Sequence, residues 1–109
     1  MSSEPGLDVH QWESEWASLE EQLEDSPVDV LPELDDLVER MLNERGYAID
    51  DPVVREGDER EVVSDFLAAR EITRLVADGA DGISPGDVAA AINGYREVYE
   101  YLIAARSTP

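Results

Sequence analysis

Apolar residues recur at steps of three and four in four stretches of this chain, and only an α-helix gathers that spacing onto one face. The first stretch, Val9, Trp12, Trp16, Leu19 and Leu23, is a narrow heptad-type seam. The second runs through Val30, Leu34, Leu37, Val38, Met41 and Leu42. In the third, Val62, Val63, Phe66, Leu67, Ala69, Ile72, Leu75 and Val76 wrap most of the way round. The fourth sets Val88, Ile92, Tyr95, Tyr99, Leu102 and Ile103 beside a small-residue stripe of Ala90, Ala91, Gly94, Val98 and Ala105. These patterns predict helices over about 8–25, 29–45, 58–78 and 85–106. The third is expected to be central, because a helix apolar on so many sides must be enclosed by others.

Punctuation residues set the expected boundaries. Asp8 with Gln11 reads as a capping box, with Leu7 and Trp12 as its staple. Asp29 reads as the second N-cap, which places Pro32 in a first turn where no N–H is needed. Gly46 fits the left-handed position past that helix, with Tyr47 folding back on Leu42. Asp58 with Glu61 opens the third helix, and Ser84, Pro85 and Asp87 open the fourth. "DGADGI" breaks the chain between the third and fourth helices, and Pro52 marks the long middle connection as extended or turn. A strand at Val53–Val54 would have no evident partner. Residues 1–7 and 107–109 are expected to fray. The expected architecture is one all-α domain over 8–106, a four-helix bundle-like body.

Charge determines the solvent that such a body suits. The chain has 27 acids, eight arginines, no lysine and no cysteine, for a net charge of −19. Residues 1–39 contain no base and contribute −13 of that total. So much like charge opposes compaction at ordinary ionic strength. In molar salt the Debye length falls to about 3 Å and the repulsion is screened. Lysine-free, acid-rich, cysteine-free composition resembles that of proteins from salt-accumulating extreme halophiles, whose carboxylates hold water and solvent cations. The likeness is compositional and implies no particular activity. Without cysteine there is no disulfide framework or thiolate metal site. No apolar run approaches the roughly 20 residues of a membrane span, and the acidic start lacks a signal peptide's basic region. The expected location is the cytoplasm.

Few residues suggest reactive chemistry. Around Gly82 the "DGADGIS" segment is out of register for a calcium loop, with Ala77 and Gly79 where ligands belong and no closing glutamate. Carboxylate pairs such as Glu21/Glu24, Glu33/Asp36, Glu56/Glu59 and Glu97/Glu100 resemble those with which all-helical nucleotide pyrophosphatases hold magnesium. A chain one quarter acidic produces roughly six such pairs by chance, so they carry little weight. His10 stands alone, with no nucleophile placed beside it. Residues 71–98 have the cadence of a helix-turn-helix, but the turn is long. The would-be recognition helix offers no Arg, Lys, Asn or Gln before Asn93.

Two groups of residues remain. Asp65 falls inside the apolar arc of the third helix, where an unpaired carboxylate is costly, so a pair with an arginine on another helix is expected, with Arg96 as one candidate. Arg70, Arg74 and Arg96 with Tyr95 and Tyr99 are the alternative, an anion site. Trp12, Trp16, Leu19 and Leu23, with Ala90, Gly94 and Val98, must face either the chain's own core or a partner. The functional expectation is a non-enzymatic module for protein–protein association or self-association, with a homodimer or another protein as partner and no cofactor. The alternatives are an acidic nucleic-acid mimic that occupies a basic protein, a magnesium-dependent nucleotide hydrolase, and a helix-turn-helix DNA binder. Membrane and nucleic-acid partners are disfavoured.

Overall fold

The computed structural model describes residues 5–47 and 57–107, with side chains over 9–47 and 60–104. Four helices occupy them: α1 Pro5–Leu23, α2 Pro27–Glu44, α3 Gly57–Ala77 and α4 Pro85–Ser107. No helix among the described residues is long and apolar enough to cross a membrane. The Val53–Val54 segment, Pro52 and the outermost terminal residues lie outside the described part.

Local chemistry accounts for most of the ends. At the start of α4 the Asp87 amide donates to Ser84 Oγ at 3.1 Å, and the Ser84 amide donates to Asp87 Oδ2 at 3.0 Å, a reciprocal capping box. Gly46 and Gly79, at φ 84° and 74°, close α2 and α3 in the left-handed region that only glycine enters cheaply. After each of them two amides fold back as in a Schellman close: Gly46 to Asn43 O and Tyr47 to Leu42 O, then Gly79 to Val76 O and Ala80 to Leu75 O.

Three starts differ from expectation. α2 begins with Ser26 at the cap and Pro27 at the first position, not at Asp29. The fixed φ of proline suits that first position, so Asp29 falls in the first turn, where its charge meets the positive end of the helix dipole. Pro32 therefore lies inside the helix, and without an N–H it cannot serve the Val28 carbonyl. α1 starts at Pro5, which puts Asp8 within the helix rather than at its cap. α3 starts at Gly57, one residue before the expected Asp58.

The central helix is α2, not α3. α2 packs broadly against each of the other three and α4 also reaches every other helix, whereas α3 lies chiefly on α4 and more lightly on α2. The reason is in the side chains. Val30, Leu31, Leu34, Leu37, Val38, Met41 and Leu42 are all buried, a broad stripe of large aliphatics with no filler. The apolar arc of α3 is widened by Leu67, Ile72, Leu75 and Val76, which end half-buried. Borderline residues enlarge an arc without demanding enclosure. The resulting body measures 46 × 34 × 22 Å, and its short dimension matches two helix layers of about 10–12 Å each.

Candidate functional site

A polar cluster sits where α2, α3 and α4 meet. Arg70 of α3 reaches Asp35 of α2 through Nε to Oδ2 at 3.1 Å and Nη2 to Oδ1 at 2.8 Å. Its Nη2 also donates to Glu39 Oε1 at 2.6 Å, one turn further along α2. Tyr95 of α4, fully buried, donates its hydroxyl to Asp35 Oδ2 at 2.8 Å. Thr73 of α3 has one proton and two acceptors in reach, Tyr95 Oη at 2.6 Å and the Ala69 carbonyl at 3.0 Å. With the Tyr95 proton committed to a carboxylate, the Thr73 proton serves the shorter contact. The Arg70 guanidinium also lies 4.7 Å above the Phe66 ring.

Electrostatics hold the proton on the Arg70 guanidinium and on the Tyr95 hydroxyl. The hydrogen bonds that Arg70 donates to Asp35, followed by the charges of Asp35 and Glu39, raise the Arg70 pKa, so the guanidinium stays charged. Burial raises the Tyr95 phenol far above its ordinary value, the carboxylate of Asp35 adds to the rise, and the hydroxyl remains a donor. One cation against two carboxylates leaves the cluster anionic. It therefore fastens three helices together and offers no charge to an incoming anion.

The anion site formed by three arginines and two tyrosines is not assembled. Arg96 turns to Glu20 of α1 at 3.3 Å and to Asn93 Oδ1 at 3.0 Å. Arg74 is exposed in the last turn of α3. Tyr99 stacks on Trp16 with centroids 4.3 Å apart and planes 7° from parallel. Burial, then Glu13, Glu20 and Glu100, push the Tyr99 phenol up to about 12. Asp65 is exposed and unpaired with Arg96; its backbone oxygen lies near Gly94, where α3 and α4 approach closely.

The acid that does pair inside was missed, although a signal for it exists. Asp35 is the polar member of the line Leu31, Asp35, Val38, Leu42, which otherwise faces the core. Thr73 stands likewise between Ala69 and Val76. Polar residues at core spacing on two helices, with an arginine beside one of them, indicate a buried network.

The tryptophan seam packs into the chain's own core. Trp12, Trp16 and Leu19 are buried, Leu23 is half-buried, and the Arg45 guanidinium lies 5.8 Å from the Trp12 ring. Within the small-residue stripe, Val98 is buried, Gly94 half-buried and Ala90 exposed. His10 is exposed. Among the described residues no three His, Asp or Glu side chains gather as a metal-ligating group.

An apolar surface remains elsewhere. Val28, in the first turn of α2, is 44% exposed, more than any other large apolar side chain described. It opens a groove of about 450 Å³ where α2 begins beside the entry to α4, floored by Ile83, Pro85, Val88, Ala89 and Ile92. Past Ile92 the surface continues as a trough of about 570 Å³ between α1 and α4. It is lined by Ala17, Glu20, Glu21 and Leu23 of α1, by Glu24 just past its end and by Arg96 of α4. Such a surface can seat an apolar side chain. In comparisons with known protein families, with curated proteins and with solved structures, nothing matches this chain.

Proposed function

We propose that this chain is a non-enzymatic helical module that works by protein–protein association in concentrated salt, making contact through the groove at the starts of α2 and α4. The observation that supports this reading is Val28, left 44% exposed at the mouth of an almost wholly apolar groove. A lone surface valine is ordinary, but this one continues into a groove lined by Ile83, Val88 and Ile92. The tryptophans that suggested an interface by their spacing are occupied within the core, so association falls to this groove. The exposed acids away from this groove then act as a salt-adapted coat that keeps the rest of the surface apart from other macromolecules.

Light scattering in molar KCl, on protein isolated at that salt from its own cell, tests the reading. The expected particle is heavier than the 12.1 kDa chain, and Val28→Asn returns it to the mass of the chain alone. A wild-type particle of single-chain mass with no stoichiometric companion overturns the proposal.

A further inference from the structure

We infer that the occupant of the groove is a cationic amphipathic helix of another protein, with apolar residues seated between Val28 and Ile92 and basic residues facing Glu21 and Glu24. The inference rests on the association reading above and specifies its partner.

Shape is the first argument. The apolar groove and the trough of Glu20, Glu21, Glu24 and Arg96 adjoin at Ile92, the residue they share, and both lie along α4. Along α4 the two extend from Pro85 to Arg96, about 16 Å at the helical rise and thus about three turns of an occupant helix. Anchors at i, i+3 or i+4, and i+7 would then meet the floor from a single face.

Charge is the second argument. Glu21 and Glu24 are exposed and make no ion pair with any described residue. Glu20 is already engaged with Arg96. Asp25 and Asp29 flank Val28 in sequence, and both are exposed. A second copy of this chain would bring the same acids to the same rim, and a nucleic acid would bring phosphates. An arginine- or lysine-flanked helix meets the rim with the opposite sign, and the stems of those residues cover its apolar edges. Molar salt limits charge attraction to contact range, so the apolar anchors supply the affinity and the carboxylates supply the choice of partner.

The test uses fluorescence anisotropy with the full chain and labelled helical peptides of about fifteen residues, in KCl sufficient to keep the helices formed by circular dichroism. One peptide has leucines at i, i+4 and i+7 flanked by arginines. A second replaces the arginines with glutamates, and a third scrambles the leucines. The first is expected to bind, and the other two at least tenfold more weakly. Val28→Ser with Ala89→Gln, both exposed positions outside the core, should weaken the first peptide at least tenfold while tryptophan emission stays native. Glu21→Gln with Glu24→Gln should weaken it several-fold, and less as KCl rises.

Equal binding of the scrambled peptide, or indifference to the Val28/Ala89 change, overturns the inference. A Val28-dependent heavier particle that ignores all three peptides leaves the association reading standing and removes only this partner. If no peptide binds and no heavier particle forms, both fall.

Discussion

Asp35 and Asp36 are adjacent, carry the same charge and each pair with an arginine, yet their replacement by alanine should differ several-fold in cost. The Asp35 side chain is 14% exposed and its partner Arg70 15%. Asp35→Ala removes three charge-assisted hydrogen bonds, two from Arg70 and one from Tyr95. Removing one member of a buried pair typically costs about 3–5 kcal/mol, mostly for the charge left behind. Arg70 keeps Glu39 at 2.6 Å, which reduces that penalty, but Tyr95 keeps only Thr73 for its buried hydroxyl. The expected loss is therefore about 3 kcal/mol. Asp36 is 68% exposed and holds Arg40 by a single bond of 3.1 Å within its own helix. Asp36→Ala should cost less than about 0.5 kcal/mol. Urea denaturation in molar KCl, followed by emission from buried Trp12 and Trp16, measures both. A loss under 1 kcal/mol for Asp35→Ala, or equal losses for the two, would refute the view that the three-helix cluster holds the body together.

Gly94 lies inside α4, where an added Cβ would sit 3.4 Å from Ala69 Cβ and 3.5 Å from the Asp65 carbonyl oxygen. Gly94→Ala should thus fit and, by helix propensity, raise stability by about 0.5–1 kcal/mol. Gly94→Val should lower it by more than about 1 kcal/mol by pushing α3 away, and thermal melts distinguish the two. For pH, the Tyr99 phenol rises from 10.0 to about 12 on folding. The folded chain therefore binds more protons than the unfolded chain between those values, and stability is whole below pH 10 and falls towards pH 12. Tyr99→Phe should make that decline shallower in urea melts taken across this interval. A decline as steep as that of wild type would show that Tyr99 does not contribute to it.

Number and type of helices were legible because period and punctuation agreed: aliphatic residues at steps of three and four ran between Pro, Gly and Ser-Pro signals. The order of packing was harder to read. α3 looked enclosed because Leu67, Ile72, Leu75 and Val76 carry its apolar arc most of the way round, yet all four end half-buried. α2, with fewer apolar positions filled by larger residues, took the centre. Asp65 misled for a related reason: a position inside an apolar arc on one helix becomes buried only if a neighbour covers it. α4 passes that face with small residues and leaves Asp65 exposed. The groove was not legible at all. Val28 and Ile83 belong to no long apolar pattern, and only the fold brings the start of α2 to the start of α4.

Arginine placement separates the number of contacts from their burial. Arg40 links α2 to α1 through Glu15, Arg70 links α3 to α2, and Arg96 links α4 to α1. Arg45 donates from the end of α2 to the Leu102 carbonyl of α4 at 2.6 Å. Arg40 and Arg70 each make three side-chain bonds to two acids. A lysine keeps the charge but, with a single nitrogen, cannot reproduce either fork. If bond count governed stability, Arg40→Lys and Arg70→Lys would cost the same. Arg40 is 47% exposed, so water replaces what the fork loses and the cost should stay under about 0.5 kcal/mol. At Arg70 a lysine cannot meet both Asp35 oxygens and Glu39 from a half-closed site, and the expected cost is about 1–2 kcal/mol. Equal costs in matched urea melts would mean that the junction of α2, α3 and α4 is wetter than its geometry implies. The fastening role would then pass to the aliphatic stripe of α2 alone.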